Sequence, residues 1–210
     1  MKLRHALLAA GFLLSAEPAA THDPSLHAPA TAKVTAQTGL AAKPPGAMPF
    51  DNIGGPFTLT DHHGTQRTDA DFHGSFLLVF FGYADCQSIC PVGLQHMTAA
   101  LDALGASAGR VQPVLITVDP ENDTPGALAQ QMPKVHPRLL GLTGTPKQVQ
   151  KTMQAYQVES SQVSRDGDGN PIYAHGSFIY LMRPDGKFAT LIPPVLGADQ
   201  MAEILRRHIN

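Results

Sequence analysis

The hydrophobic and polar residues follow patterns typical of strands along much of the chain. Apolar and polar residues alternate over residues 56–60, and a polar turn separates them from residues 65–68, which predicts a hairpin. Residues 76–83 and 111–118 form short, almost continuously apolar runs, which predict buried central strands. Further short strands are predicted at residues 139–142, 177–182 and 187–192.

Helices are predicted between these strands. Pro91 begins a helix that extends to about Leu104, with its apolar residues on one face. Thr124 and Thr145 are each followed by proline, a pair of residues typical of a helix start. Residues 198–209 are predicted to form the final helix. This order predicts an α/β fold in which a central mixed sheet is flanked by helices.

The N-terminal region lacks this alternation. Lys2 and Arg4 precede an apolar run and then small residues, which is the order of a secretory signal peptide. We therefore expect a signal peptide, or a short N-terminal anchor, over residues 1–20. Residues 21–50 are rich in Ala and Pro and are expected to be a flexible tether to a domain over residues 51–210. The protein is expected to be exported and periplasmic, free or tethered to the outer face of the inner membrane, with membrane contact only through its N-terminus.

The charges and the cysteines narrow the function. The chain has 15 basic and 17 acidic side chains and no basic stripe, which excludes nucleic acid as a partner. Its two cysteines are too few for a disulfide scaffold. Two cysteines close together in sequence indicate a redox pair or a metal-binding pair instead.

Cys86 and Cys90 lie between a predicted buried strand and the helix that Pro91 begins. Backbone N–H groups and the dipole at a helix start stabilise thiolates. The spacing of four residues brings both sulfurs to one face, where they can bind Cu(I) or Zn(II) or form a disulfide. Two ligands are too few for a closed metal site, so a third must come from elsewhere. A purely structural disulfide is the alternative, although a bridge over so short a loop constrains the unfolded chain little.

A family resemblance is carried by four blocks of sequence, at residues 55–61, 80–91, 117–125 and 175–187. In this order and spacing they resemble the Sco/SenC family of copper chaperones for cytochrome c oxidase, over about residues 50–209. The resemblance implies a thioredoxin-like fold with an N-terminal β-hairpin. It also implies that one copper ion, as Cu(I), Cu(II) or both, is bound by Cys86, Cys90 and His175.

The chain departs from the family pattern close to these ligand positions. Gln87 and Ser88 stand where the family usually has Pro and Asp between the cysteines. Ala174 replaces the family's aspartate before the histidine, and Asn122 replaces an arginine. The loss of these charges is expected to weaken copper retention or to alter the surface that a partner contacts. Asp119 is expected to order its own loop and the start of the following helix.

The resemblance implies a metallochaperone, which is a binding protein rather than an enzyme. Such a protein would deliver copper to the dinuclear centre of cytochrome c oxidase subunit II, or to another exported copper protein. An upstream periplasmic protein would supply the metal. Transfer would proceed by ligand exchange, as the partner's cysteines displace the thiolates and the imidazole one at a time.

Two enzyme functions are the alternatives. A thiol–disulfide reductase would use Cys86 to attack and Cys90 to resolve, and would reduce the cysteines of the partner's copper site. A general thioredoxin is disfavoured because residues 174–177 lack the proline that thioredoxins have there. A peroxidase is disfavoured because Tyr83 stands where peroxiredoxins have threonine, and because the chain lacks the tryptophan of glutathione peroxidases.

Overall fold

The computed structural model describes residues 52–86 and 89–209. The predicted signal or anchor segment and the predicted tether lie outside the described residues and remain predictions, as does the domain boundary at residue 51. Within the described ranges, no helix combines the length and the apolar character needed to cross a membrane.

The strands and helices alternate as the hydrophobic pattern predicts. The strands are β1 (Thr58–Asp61), β2 (Gln66–Thr68), β3 (Phe76–Gly82), β4 (Val111–Thr117), β5 (Leu140–Thr143), β6 (Ser160–Arg165), β7 (Pro171–His175), β8 (Ile179–Met182) and β9 (Phe188–Ile192). The α-helices are α1 (Ile89–Asp102), α2 (Pro125–Val135), α3 (Pro146–Ala155) and α4 (Ala198–Ile209). Short 3₁₀ helices follow β2 and precede β4, at Asp69–Phe72 and Gly105–Arg110.

Seven of these strands form one mixed sheet in the order β2-β1-β5-β4-β3-β8-β9. The central strands β3, β4 and β5 are parallel, whereas β1, β8 and β9 pair in antiparallel fashion. Strands β6 and β7 form a separate antiparallel hairpin. The predicted α/β architecture, with a central mixed sheet and an N-terminal hairpin, is therefore confirmed.

Burial explains why β3 and β4 lie at the centre of the sheet. Every residue of β3 is buried, and Phe80 and Phe81 are among the largest fully buried side chains. A strand that is apolar along its whole length needs cover on both faces, which only an interior position supplies. Helix α1 packs against α4 and β4, and α2 packs against β5. The carboxyl ends of β3 and β4 thus lie side by side, where the loops that follow them meet.

The predicted helix starts are confirmed by their caps. Thr124 Oγ1 accepts a hydrogen bond from the N–H of Ala127, and Thr145 Oγ1 accepts one from Gln148. Helix α1 begins at Ile89 rather than at Pro91. This difference places Cys90 inside the first turn of α1, where backbone N–H groups have no helical carbonyl partner.

The β6–β7 hairpin is the element that the sequence pattern did not predict. Its strands β6 and β7 flank a turn over residues 166–170. Five of the six residues of β6 are exposed, so no apolar face marks the strand. Strand β7 ends at His175, and the missed hairpin therefore carries one of the predicted site residues.

Candidate metal centre

The two cysteines meet at the carboxyl end of the central strand β3. Cys86 lies in the loop after β3, and Cys90 lies in the first turn of α1. They form a disulfide, with their Cα atoms 5.9 Å apart. Cys86 is 7% exposed and Cys90 is 1% exposed, so both cysteines are buried just beneath the protein surface. This disulfide is the form that a redox pair in its oxidised state and a purely structural bridge have in common.

His175 lies beside this disulfide although it is 85 residues from Cys90 in sequence. Its Nε2 atom is 3.7 Å from Cys90 Sγ. Its Nδ1 atom is 3.1 Å from the carbonyl oxygen of Gly176. A carbonyl oxygen only accepts hydrogen bonds, so this contact favours the tautomer that carries its proton on Nδ1 and directs the Nε2 lone pair towards the sulfur pair. The structure thus brings the three predicted site residues together.

The oxidised state of the cysteines limits what this group can bind. Among the described residues, no group of three or more His, Cys, Asp or Glu side chains is arranged to hold a metal ion. The form of cysteine that binds metal is the thiolate, and a sulfur bonded to a second sulfur is not a thiolate. Reduction of the Cys86–Cys90 bond would release two soft donors next to an imidazole.

The Tyr83 ring lies between the rings of His175 and Tyr173 and contacts both. The Tyr83 ring lies edge-on to the imidazole, with 6.3 Å between ring centroids. Tyr83 also lies edge-on to Tyr173, with 5.5 Å between centroids. Tyr83 is buried between the end of β3 and the cysteine loop, whereas Tyr173 belongs to β7. The rings therefore connect the hairpin of His175 to the strand that leads to Cys86.

A buried carboxylate holds the start of the cysteine loop. Asp123 accepts hydrogen bonds from the N–H of Ala84 at 3.1 Å and from Thr117 Oγ1 at 2.6 Å. Burial raises the pKa of Asp123 to about 6, with smaller increases from the nearby carboxylates of Asp119 and Asp85. The hydrogen bonds from Thr117 and Ala84 act in the opposite direction and lower this pKa. Asp123 thereby ties the end of β4 to the loop of Cys86.

Asp119 connects its own loop to the hairpin. Its Oδ2 atom accepts a 2.8 Å hydrogen bond from Asn122 Nδ2, and its Oδ1 atom accepts a 3.2 Å hydrogen bond from the Tyr173 hydroxyl. Burial and the neighbouring Asp119 raise the pKa of Tyr173 to about 12, which keeps the phenol protonated as a donor. The expectation that Asp119 orders its loop is consistent with the bond to Asn122. The bond to Tyr173 was not anticipated.

The departures from the family pattern fall at different places around the site. Asn122 donates to Asp119, so its amide makes a local polar contact at the position of the family's arginine. Ala174 is exposed and lies opposite Ser161 in the hairpin. Gln87 and Ser88 lie outside the described residues.

Tyr173, Tyr83 and Asp123 are the residues around the site that sequence reasoning missed. Burial alternates along β7, with Tyr173 and His175 half-buried and Ile172 and Ala174 exposed, but this alternation does not follow polarity, because the two exposed residues are apolar. Alternation over five residues next to a Gly- and Asp-rich turn is too short to be distinguished from a loop. Tyr83 and Asp123 lie within the blocks at residues 80–91 and 117–125, but the family resemblance implies no role for either residue.

Comparison with solved structures supports the fold. The chain is similar to Bradyrhizobium japonicum ScoI with copper bound, with a TM-score of 0.69, 36% identity, and coverage of 74% of this chain and 99% of that one. It is also similar to Arabidopsis thaliana ScoI with copper bound, with a TM-score of 0.71, 31% identity, and coverage of 75% and 98%. These neighbours have the thioredoxin-like fold, so the fold expected from the resemblance is confirmed.

Comparison of sequences gives a consistent result. The mitochondrial SCO2 homolog of Bos taurus is 41% identical over 157 residues, which cover 74% of this chain and 59% of that protein. The chain spans about three fifths of the length of the curated relatives that it first matches.

The prediction of a periplasmic location is wrong. Curated relatives, the bovine protein among them, are named as mitochondrial proteins and point to mitochondria rather than to a bacterial periplasm. The physical reason for the error is that export signals and mitochondrial targeting segments both begin with basic, acid-poor sequence, so Lys2 and Arg4 do not separate them. The expectation of an upstream periplasmic copper donor depended on the same location and is not confirmed by these relatives.

A family model described as SCO1/SenC matches residues 46–210. The match includes the whole mixed sheet, the cysteine loop and the hairpin that ends at His175. It covers well over half of the chain, and it agrees with the relatives and with the solved structures. The chain therefore belongs to the SCO1/SenC family.

Proposed function

We propose that this chain is a copper-binding protein of cytochrome c oxidase assembly, and that Cys86, Cys90 and His175 hold one copper ion. The observation that carries the proposal is the 3.7 Å separation between His175 Nε2 and Cys90 Sγ, with Cys86 joined to Cys90. Two cysteines four residues apart and a histidine 85 residues from Cys90 thus converge on one point at the edge of the fold. The copper-bound ScoI relatives support copper as the metal.

The donor set suits copper chemically. Two thiolates are soft ligands and favour Cu(I), while an imidazole nitrogen binds both Cu(I) and Cu(II). The contact of His175 Nδ1 with the carbonyl oxygen of Gly176 supports this role, because it favours the tautomer that leaves Nε2 free to coordinate. Three protein ligands leave the metal open to a further ligand, which a protein that passes its metal on requires.

The position of the site supports transfer of copper to a partner protein, and the partner we propose is cytochrome c oxidase subunit II. A cavity of about 320 Å³ borders both cysteines and is lined further by Pro91, Leu94 and Val135. A thiolate of the partner would enter from this side and form a bond to copper as one ligand of this chain leaves. Repetition of the exchange would move the ion without a change in its charge or in the oxidation state of any sulfur.

Copper stoichiometry and affinity test the three-ligand site. The fully reduced chain should bind one Cu(I) in competition with a Cu(I) chelator, and His175→Ala should bind it more weakly. His63→Ala is the control, because His63 is an exposed histidine in the turn after β1. His63→Ala should match the wild type. Equal affinity of the wild type and His175→Ala would reject the histidine as a ligand.

A thiol–disulfide reductase is the second candidate, and the Cys86–Cys90 disulfide is the observation that favours it. In the reduced chain, the Cys86 thiolate would attack one sulfur of a partner disulfide and release the other as a thiolate. The Cys90 thiolate would then attack Cys86 and release the partner's second thiolate, so that two electrons pass to the partner and this chain ends as the disulfide. The greater exposure of Cys86 supports its role as the attacking residue.

Trapping of the mixed disulfide tests the reductase. Cys90→Ser removes the resolving sulfur, so incubation of the reduced variant with an oxidised dithiol peptide should accumulate a covalent adduct at Cys86. Cys86→Ser is the control and should form less adduct, because Cys90 is almost fully buried. The absence of an adduct with Cys90→Ser would reject the reductase function. If the wild type also binds copper tightly, copper binding is the function that remains.

A further inference from the structure

We propose that Tyr173 is a positioning residue for the copper site, because its hydroxyl group fastens the β6–β7 hairpin to Asp119 and so holds His175 next to Cys90. The inference rests on the proposed copper function and adds a residue to it. The contacts that carry it lie outside the ligand set itself.

The hairpin needs such a fastening because the main sheet does not supply it. Strands β6 and β7 pair with each other and with no other described strand. Their register shifts between Gln162 and Ser164, and most of their residues are exposed or half-buried. Backbone pairing therefore fixes His175 opposite Ser160 within the hairpin. It does not fix the distance from the hairpin to α1, where Cys90 lies.

Tyr173 is placed to supply the missing constraint. It precedes His175 by two residues in β7, so the two side chains share one face of the strand. On that face the Tyr173 hydroxyl donates to Asp119 Oδ1 at 3.2 Å, and its ring lies edge-on to Tyr83. The ring contact packs the hairpin against Tyr83, while the hydrogen bond fixes the orientation of the Tyr173 hydroxyl and its distance from Asp119.

Asp119 is a rigid acceptor for this bond. It is 3% exposed, and its N–H donates to Thr117 Oγ1 at 2.9 Å. Its second carboxylate oxygen accepts from Asn122, which leaves Oδ1 oriented towards the hairpin. Because Asp119 follows β4 and β4 pairs with β3, the anchor belongs to the same rigid unit as the strand that leads to Cys86. The hydrogen bond from Tyr173 to Asp119 and the pairing of β4 with β3 thus connect the hairpin to the strand that leads to the cysteines.

Removal of the hydroxyl should loosen His175 without removing any proposed ligand. Hydrogen bonds to charged groups contribute more than neutral ones, and the hairpin has no strand pairing with the main sheet to compensate. We expect Tyr173→Phe to weaken Cu(I) binding about tenfold, which is the scale of one such bond. Tyr180→Phe is the matched control, since it removes the same atom from a buried tyrosine of β8 that packs on Phe81 and Tyr156. Tyr180→Phe should bind copper as the wild type does.

The experiment is a double-mutant cycle on the reduced chain, measured by competition for Cu(I) with a chelator. Wild type, Tyr173→Phe, His175→Ala and the double variant are compared, because an effect that acts through His175 disappears when His175 is absent. Amide hydrogen exchange of the metal-free chain is measured alongside. Tyr173→Phe should speed exchange at residues 160–175 and leave β3 and β4 unchanged.

The outcomes separate this inference from the function on which it rests. Weaker binding by Tyr173→Phe in the wild-type background, with no further loss in the His175→Ala background, is the expected result. If His175→Ala is weakened while Tyr173→Phe equals the wild type, the copper site stands and Tyr173 has no positioning role. An equal loss from Tyr173→Phe in both backgrounds also overturns the inference, because the effect then bypasses His175. If the wild type binds no copper, the proposed function fails and the inference fails with it.

Discussion

Thr117 Oγ1 donates a 2.6 Å hydrogen bond to Asp123 Oδ2, and the Asp123 carboxylate is buried beside the loop that leads to Cys86. The same carboxylate accepts the N–H of Ala84. Asp119 and Asp85 lie near enough to disfavour its charge, and burial disfavours it more strongly. The pKa of Asp123, whose carboxyl group holds the cysteine loop, is therefore raised above its ordinary value.

The stability of the fold should consequently fall as pH rises through the range in which Asp123 ionises. The pKa of Asp123 is about 6 in the folded chain, above its ordinary value of 3.8, so the folded state binds this proton more tightly than the unfolded state does. Its contribution is fully present below about pH 4 and is lost as pH rises from there through about 6. A shift of this size corresponds to roughly 3 kcal/mol.

Urea unfolding at a series of pH values measures this effect. Asp123→Asn cannot ionise, so the free energy of unfolding of this variant should fall less than that of the wild type between pH 4 and 7. Asp185→Asn is the control, because the exposed Asp185 accepts the N–H of Lys187, which lowers its pKa and gives a dependence of opposite sign. A wild-type pH slope in Asp123→Asn would show that Asp123 does not resist ionisation in the folded chain.

The fold was predictable where a single property repeats along the sequence. The apolar run of β3 needs burial on both faces, and this requirement alone places it in the centre of the sheet. Thr124 and Thr145 mark helix starts because a hydroxyl and a following proline satisfy the same local geometry in any fold. These signals are local, and the structure confirms them.

The site was predictable only in part, because its geometry depends on contacts between distant segments. The helix-start position of Cys86 and Cys90 indicated thiolate chemistry, but no periodicity connects Cys90 to a residue 85 positions away. Only the family resemblance pointed to His175. The β6–β7 hairpin escaped prediction because Val163 is the one apolar residue in β6, and a strand without an apolar face gives no periodic signal. Tyr173 was missed along with it.

Copper binding and the Cys86–Cys90 disulfide should exclude each other. A disulfide withholds both sulfurs from the metal and leaves His175 as the single proposed ligand. A competing chelator should therefore remove all Cu(I) from the oxidised chain. Reduction should restore one copper per chain. Titration of the oxidised and reduced chains with Cu(I), with free thiols counted in parallel, measures both quantities.

Cys86→Ser provides the control for this redox dependence. It cannot form the intramolecular disulfide, so mild oxidation should leave its weaker copper binding unchanged. One tightly bound copper on a chain with no free thiols would contradict the requirement for thiolates. It would mean that ligands other than the cysteines hold the metal.

Two glycines should respond in opposite ways to substitution by alanine, because they differ in the space around them. A Cβ atom on Gly141 of β5 would lie 2.8 Å from Met132 Cγ and 3.3 Å from Leu128 Cβ, both on the buried face of α2. Gly141→Ala should lower the free energy of unfolding by about 1–3 kcal/mol, the usual cost of overpacking. Gly126 lies in the first turn of α2, and the nearest atom to its Cβ would be Thr124 Oγ1 at 4.0 Å. Gly126→Ala should raise the free energy of unfolding by roughly 0.5 kcal/mol, because alanine loses less backbone entropy in a helix.

Urea unfolding at one pH compares these variants directly. The dependence of the free energy on urea should be the same in all three proteins, so that the midpoints alone report stability. Gly141 also exchanges backbone and side-chain hydrogen bonds with His62, which limits how far β5 can shift to make room for a methyl group. A Gly141→Ala midpoint at or above that of Gly126→Ala would mean that Met132 and Leu128 move aside at little cost. The packing of α2 against β5 would then be looser than the contacts at Gly141 indicate.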